Sequence, residues 1–163
     1  MMEVPTGDYC LRSGFTAGGA LSGGRGFSLI ELLIAVSIVS LLAAVVYPAY
    51  TQQIRRAGRT EAKTLLLQAQ ARQERFFGAY NHYAANMTAL GYGTDPMYTG
   101  GNRYRVSVAA SSANSFTLQA QPSPGSRQAG DACGTFVIDQ LGVRGVTDLP
   151  ADSTMTAAKC WRK

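Results

Sequence analysis

An uncharged run over residues 32–50 restricts this chain more than any other feature, with only two serines and Pro48 interrupting its apolar character. As a helix, residues 27–54 would extend about 40 Å, enough to cross a bilayer. A cleavable secretory signal is the competing interpretation, but its apolar core is usually only about 7–15 residues long. The run therefore predicts a membrane-grade helix. Because Pro48 lacks an N–H, we expect a kink or local melting over residues 44–48.

Glu31 stands immediately before this run. A carboxylate in a lipid-facing helix costs a few kcal/mol at the bilayer centre and less near an interface, so it needs a positive partner. If the chain were cut after Gly26, Phe27 would carry a free α-amino group, and a neighbouring copy would present the same group. Such a pair at about 4 Å and an effective dielectric of about 20 contributes about 4 kcal/mol. Glu31 is therefore predicted to register one subunit against another.

The residues before this segment show no helical or strand period. Residues 1–22 are rich in Gly, Ser, Thr and Ala, and we interpret them as an unstructured leader. Initiation at Leu21 is the alternative, and it would leave a short basic leader ending at Gly26.

Beyond Pro48 the helical period continues without an obvious stop. The residues near helical spacing are Ile54, Gly58, Ala62, Leu65, Ala69, Phe76 and Tyr80, with Leu66 and Phe77 widening the stripe. Strong helix formers dominate residues 61–75, so the helix is expected to run on to about Gly78. Arg55, Arg59 and Lys63 form a row on another face, which is expected to be solvated or to meet acidic groups of a neighbouring subunit.

The C-terminal half carries loop and strand patterns. Residues 79–102 are dense in Gly, Asn and Tyr and predict a loop. Alternation predicts one strand around residues 104–108 and another around 116–120, and shorter strands are expected at 134–139 and 142–146. The fold class is therefore α+β, with a long N-terminal helix packed on a small antiparallel sheet of about four strands over residues 103–146.

The cysteine pattern favours an exported domain. Cys133 and Cys160 lie in a polar, Gly-rich C-terminal region, and Cys10 stands alone near the start. With a single histidine and no C-x-x-C motif, a zinc site is disfavoured, and one disulfide in an oxidising compartment fits better. Nothing resembles a nucleophile–base pair, so enzymatic function is disfavoured and no cofactor is expected. A calcium site at Asp148 and Asp152 is a minor alternative.

The net charge of +5 fits nucleic acid or anionic lipid as a partner, although most mildly basic proteins bind neither. The candidate basic surface consists of Arg103, Arg105, Arg127, Arg144, Arg162 and Lys163. Because these residues are scattered along the chain, ordinary solvent-facing charge is the simpler interpretation.

The segment from Gly26 through Phe27 and Glu31 to Pro48 resembles the type IV prepilin signature, with each residue at the family's spacing. The segments around Cys133 and Cys160 are further similar to those of the small PilE-like minor pilins. The leader is longer than is usual for the family, and Ser40 replaces a frequent glycine.

The resemblance implies a processing scheme. A prepilin peptidase would remove residues 1–26 by cutting between Gly26 and Phe27, and would N-methylate Phe27, with Glu31 serving methylation and assembly. Residues 27–53 would form the transmembrane and assembly half of the helix, and residues 54–163 the head. Cleavage removes Cys10, so the resemblance implies a Cys133–Cys160 disulfide enclosing residues 133–160.

The resemblance also implies function and location. The chain is expected to be a minor structural subunit of a type IV pilus, supporting twitching motility, adhesion or DNA uptake. Its expected partners are other pilin subunits, the peptidase and an inner-membrane assembly platform. It would be stored in the inner membrane with a periplasmic head, and would then enter an extracellular fibre. The alternatives are a type II secretion pseudopilin, a competence pilin that binds DNA directly, and a membrane-anchored domain that never polymerises.

The charges flanking the apolar run argue against this orientation. More arginine and lysine residues follow the run than precede it. By the positive-inside rule, this distribution would place the head in the cytoplasm. The expected disulfide requires an oxidising compartment, so a periplasmic head is the prediction.

Overall fold

The computed structural model describes residues 27–162. The predicted leader, residues 1–26, lies outside these residues and includes Cys10 and Gly26. Lys163 also lies outside them. The described residues divide into two compact units, with the boundary between Ser40 and Leu41. Helix α1, Leu29–Tyr80, contributes residues to both.

Helix α1 ends two residues beyond the predicted stop at Gly78. The residue after its last turn is Asn81, which adopts a positive φ of 56° and donates its N–H to the Phe77 carbonyl at 2.8 Å. Asparagine tolerates this left-handed conformation, so Asn81 closes the helix in the way usually associated with glycine. Gly78 lies inside the last turns of the helix.

The sheet is an antiparallel meander with strand order β1-β2-β3-β4-β5. Its strands are β1 (Met97–Tyr98), β2 (Tyr104–Ser111), β3 (Phe116–Pro122), β4 (Thr135–Asp139) and β5 (Arg144–Thr147). The α+β class and the antiparallel sheet are confirmed. The structure adds the two-residue strand β1 inside the predicted loop 79–102.

Strand β5 begins two residues later than the predicted 142–146. Asp139 accounts for the shift, because its Oδ1 accepts the N–H groups of Leu141 and Val143, each at 2.9 Å. Gly142 supplies the positive φ that this turn requires. The residues from Gln140 to Val143 are therefore held as a turn, and pairing with β4 starts at Arg144.

The core of the second unit lies between the later part of α1 and one face of the sheet. The buried positions of α1 are Gly58, Ala62, Leu66, Ala69 and Gln73. They face buried side chains of β2, β3 and β4, among them Tyr104, Val106, Phe116, Leu118, Phe136 and Ile138. The small residues permit close approach, since a Cβ at position 58 would lie 2.8 Å from the Gln128 Oε1. The predicted helical stripe is thus largely present, with Leu66 rather than Leu65 fully buried.

The short C-terminal helix α2, Ala157–Trp161, was not predicted. Its N-cap is Thr156, whose side chain accepts the Lys159 N–H. Trp161, its last residue, donates its indole N–H to the Gly145 carbonyl at 2.9 Å. This bond attaches the C-terminal segment to the edge strand β5.

Candidate assembly helix and basic groove

The first part of α1 exposes apolar side chains on every side. The large hydrophobic residues from Phe27 to Tyr50 are all more than half exposed, and Phe27 reaches 75%. An 18-residue window of α1 has the composition of a membrane span, and none of that window is buried. A helix that is apolar all round is stable in water only if lipid or other helices cover it. This surface is therefore built for a bilayer, a helix bundle, or each in turn.

Two serines interrupt this surface without leaving unpaired hydroxyls. The Ser37 hydroxyl donates to the Leu33 carbonyl at 2.7 Å, and the Ser40 hydroxyl donates to the Val36 carbonyl at 2.8 Å. Back-bonding of this kind satisfies the polar atom inside the helix itself. The serines are thus compatible with a lipid environment, where an unpaired hydroxyl would be costly.

Glu31 lies in the first turn of α1. A carboxylate at this position interacts favourably with the positive end of the helix dipole, typically by about 0.3–1 kcal/mol. The same turn leaves backbone N–H groups without intrahelical partners, which adds to the preference for an acceptor. The predicted pairing of Glu31 with the Phe27 amine of a neighbouring copy stays a prediction.

Pro48 lies inside α1, and the helix is assigned without a break across it. The Thr51 hydroxyl donates to the Pro48 carbonyl at 2.9 Å. The predicted kink or melting over residues 44–48 stays a prediction.

The predicted disulfide is present. Cys133 and Cys160 form a bond with an S–S distance of 2.04 Å, and both residues are buried in the core. The bond spans 27 residues, for which the loop-closure model gives about 3.5 kcal/mol of stabilisation. It fixes α2 against the segment that precedes β4.

A buried ion pair lies beside the disulfide. The Arg59 Nε is 3.0 Å from both carboxylate oxygens of Asp131, whose side chain is fully buried. Asp131 also accepts the Cys133 N–H at 2.8 Å and a bond from the Gln128 amide. Since every carboxylate oxygen has donors, burial of this charge is compensated. The group joins α1 to the segment that carries Cys133.

Lys63 holds the end of α2. Its ammonium donates to the carbonyls of Cys160 at 3.3 Å and Arg162 at 3.1 Å, where the last carbonyls of a helix lack intrahelical partners. Burial lowers the pKa of Lys63 below its usual 10.5, and repulsion from Arg59 lowers it further.

Together, α1 and α2 form a groove of about 520 Å³ that we call the basic groove. Its cationic side chains are Arg56, Arg59, Lys63, Lys159 and Arg162, and the remaining residues of its lining are uncharged. Arg56, Arg59 and Lys63 recur at helical spacing on one face of α1. The groove is therefore a concentrated positive site on a chain whose charge is otherwise scattered.

The predicted basic surface is distributed over several places. Arg105 belongs to the outer face of β2 and bonds Gln121 across the strand pair at 2.9 Å. Arg144 pairs with Ile138 in the inward-facing row of β5 and lies over the Trp161 ring. Arg103 contacts Glu61 at 3.6 Å. Among the predicted residues that the structure describes, a set without Lys163, Arg162 alone lines the basic groove.

The groove uses residues that the sequence interpretation did not select as site residues. Lys159 and Arg56 are the clearest cases, because only the fold brings α2 against α1. The spacing of Arg56, Arg59 and Lys63 was a usable signal, although the predicted row began at Arg55. Asp148 and Asp152 belong to no cluster suited to a metal ion within residues 27–162.

Two family profiles match the chain. A profile described as the prokaryotic N-terminal methylation motif matches residues 22–47. A second, described as type IV minor pilin ComP, DNA uptake sequence receptor, matches residues 48–137, more than half of the chain. The chain belongs to the type IV pilin family. This confirms the resemblance first drawn from Gly26, Phe27, Glu31 and Pro48.

Curated relatives of this pilin carry the same family name. It is 35% identical over 104 residues to the type IV wide pilus major component PilA4 of Thermus thermophilus, covering 62% of the pilin and 76% of the relative. It is 39% identical over 88 residues to the type IV major pilin PilA of Myxococcus xanthus, covering 53% and 38% respectively. The match with type IV major pilin PilE1 of Neisseria gonorrhoeae has 35% identity over 72 residues and covers 44% of each chain. The pilin thus spans less than half the length of two of these relatives.

Two solved pilin structures match the chain. A type IV pilin from Shewanella oneidensis matches with 25% identity and a TM-score of 0.42, covering 67% of the pilin and 99% of that chain. The non-core minor pilin PilV of Neisseria meningitidis matches with 22% identity and a TM-score of 0.45, covering 60% and 93%.

Proposed function

We propose that this pilin is a minor structural subunit of a type IV pilus that is stored in the inner membrane with its head in the periplasm. The observation that supports the proposal most directly is the apolar surface of α1, exposed on every side from Phe27 to Tyr50. A surface of that kind requires lipid before assembly and other helices after it. The minor role rests on the description of the profile that matches the head.

Under this proposal, a prepilin peptidase cuts between Gly26 and Phe27 and methylates the new amine. Glu31, in the first turn of α1, then accepts the amine of an incoming or neighbouring subunit. The attraction between these charges is strong because both lie where lipid excludes water. An assembly platform in the inner membrane would move the subunit from the bilayer into the fibre.

The test is to analyse maturation and fibre content in the same cells. We expect the N-terminus to be methylated Phe27 in cells with the peptidase, and the intact leader to persist in cells without it. Sheared fibres should contain the pilin at a small fraction of the main subunit, measured by quantitative mass spectrometry. An intact leader in normal cells would contradict the pilus proposal, and an abundance equal to the main subunit would contradict the minor role. Absence from sheared pili, with incorporation into secretion pseudopili instead, would favour the type II secretion alternative.

As a second candidate function, we propose that the pilin binds duplex DNA. The description of the head profile as a DNA uptake sequence receptor favours it, and the net charge of +5 is compatible with it. The residues in question are Arg103, Arg105, Arg144, Arg162 and Lys163, which need not form one continuous track to contact separated phosphates.

DNA binding is tested by the dependence of affinity on salt. If the pilin neutralises several phosphates, the logarithm of the binding constant should fall linearly with the logarithm of salt concentration, by about 0.9 per phosphate contacted. Replacing Arg105 and Arg144 with Gln should reduce that slope, whereas replacing the uncharged Gln68 with Ala should leave it unchanged. Binding that does not respond to salt, or no binding, would remove this candidate.

A further inference from the structure

The basic groove holds cations that the fold does not neutralise. Within residues 27–162, the salt bridges involve only Arg59 with Asp131 and Arg103 with Glu61. Arg56 and Lys159 line the groove, are exposed, and take part in neither. Because the groove has no acidic side chain in its lining, its positive potential is available to a ligand.

The groove starts close to the end of the apolar run. Arg56 follows Tyr50 by six residues, which along a helix is about 9 Å. The polar layer on each side of a bilayer's hydrocarbon core is about 5–8 Å thick. Tyr47 and Tyr50 are exposed aromatic residues at the end of the run, in the position typical of an interfacial belt. When α1 is in a membrane, the Arg56 backbone therefore lies at the outer edge of the headgroup layer, and its long side chain extends back to the level of the lipid phosphates.

The chemistry of the lining suits a phosphodiester with a polar substituent. Arg56 offers a planar guanidinium, the preferred partner for phosphate oxygens, and Lys159 adds a point charge. Gln53 and Thr60 supply neutral polar groups beside them, and Met155 supplies an apolar surface. A volume of about 520 Å³ lies within the range of small-molecule sites.

We infer that the basic groove binds the phosphate headgroup of an anionic phospholipid while the pilin is stored in the membrane. The inference rests on the proposed membrane storage and adds a ligand to it. A lipid fits the observations better than DNA, because a duplex docked at Arg56 would have to enter the headgroup layer.

Binding of this lipid steadies the head at the membrane surface and is given up on assembly. Extraction into a fibre removes α1 from the bilayer, so the headgroup must leave the groove. The basic groove then becomes available to acidic side chains of a neighbouring subunit.

The experiment uses the full chain in nanodiscs of phosphatidylcholine containing phosphatidylglycerol at a low mole fraction, with retained lipid counted by native mass spectrometry. The test variant is Arg56→Gln with Lys159→Gln, and the matched control is Arg75→Glu, which lowers the net charge by the same two units at an exposed position outside the groove. Each basic residue near an anionic surface raises the binding constant by a factor of about five. The test variant, which lacks two of them, should therefore show a preference for phosphatidylglycerol that is about 25-fold weaker. The control should retain the preference. A third variant, Arg56→Lys with Lys159→Arg, should restore it.

Several results would overturn the inference. An equal loss in the control would show diffuse attraction rather than a site. Displacement of the lipid by inorganic phosphate at equal concentration would assign the groove to a free anion. Displacement by duplex DNA, abolished in the test variant, would assign it to nucleic acid. Trp161 fluorescence, from the chain's single tryptophan, verifies folding of each variant. If α1 fails to insert into bilayers the proposed function fails, whereas insertion without lipid preference refutes this inference alone.

Discussion

Arg59 on helix α1 and Asp131 in the segment before β4 form an ion pair in which one guanidinium nitrogen lies 3.0 Å from both carboxylate oxygens. The two residues are 72 positions apart, and the pair joins α1 to the segment containing Cys133. The disulfide and the ion pair thus hold neighbouring parts of the head by independent means.

Replacing Asp131 with Ala should destabilise the head by about 3–5 kcal/mol, because it leaves the half-buried Arg59 without its counter-ion. Urea unfolding of the detergent-solubilised chain, followed by Trp161 fluorescence, measures the change. Asp152→Ala, at an exposed position, is the control and should change stability by less than about 0.5 kcal/mol. The double variant Arg59→Met with Asp131→Met should lose less stability than Asp131→Ala alone. An unstable double variant would show that packing or the lost hydrogen bonds from Cys133 and Gln128, not the charge, determine the loss.

Replacing Gln73 with Ala should cost about 2–3 kcal/mol, since both polar groups of its buried amide bond the backbone of Ala84. The amide donates to the Ala84 carbonyl at 2.9 Å and accepts the Ala84 N–H at 2.8 Å. Hydrogen exchange should detect faster exchange at the Ala84 amide. Gln68→Ala, on the exposed side of α1, should leave that amide protected, and equal exchange in both variants would contradict the role of Gln73.

The head should lose stability as the pH rises above about 10. Burial raises the pKa of Tyr104 above its usual 10.0, and the Asp131 carboxylate raises it further. The unfolded chain therefore releases the Tyr104 proton at lower pH than the folded chain. The contribution of Tyr104 to the free energy of unfolding is complete below pH 10 and declines above it. Tyr104→Phe should reduce the decline of the free energy of unfolding between pH 9 and 11, measured by reversible unfolding. Tyr98→Phe should leave that decline unchanged. A slope unchanged by Tyr104→Phe would assign the decline to other groups.

Replacing Glu31 with Ala should spare membrane insertion but reduce incorporation into fibres at least about tenfold, because the pair with a neighbouring amine contributes several kcal/mol at low dielectric. Membrane fractions and sheared fibres from the same culture give the two quantities. Glu74→Ala, an exposed carboxylate on the head part of α1, is the matched control. Incorporation equal to that of the unaltered pilin would disprove the pairing.

Replacing Gly26 with Ser or a larger residue should block processing, because we expect the peptidase to accept only a small side chain before the scissile bond. The intact leader should then be visible by mass spectrometry of the membrane fraction. Gly24→Ser provides the comparison and should be processed normally. Normal maturation of the Gly26 variant would refute the predicted cleavage position.

Local patterns were sufficient for much of this architecture. The uncharged run, the stripe through Ala62 and Ala69, and the alternation at Tyr104 and Val106 depend on periodicity within a single element. Such patterns are visible in a sequence because each helix or strand must bury one face or enter lipid, which places apolar residues at regular positions. The end of α1 was misjudged by two residues because Asn81, rather than Gly78, adopts the left-handed conformation.

Tertiary contacts decided what periodicity does not encode. A glutamine at position 73 would be expected at the surface. It is buried because the N–H and the carbonyl of Ala84 form hydrogen bonds with its side-chain amide. Strand β1 has two residues, too few for an alternating pattern, and exists because β2 lies beside it.

The same division applies to the functional sites. By itself the sequence determined the membrane-grade helix, the position of Glu31 at its start and the membership of the family, since these depend on residue type and spacing along one segment. Only the tertiary structure brought Lys159 and Arg162 against Arg56 and Lys63. The disulfide and the carbonyls bound by Lys63 hold α2 at that place, so the basic groove is a product of long-range contacts.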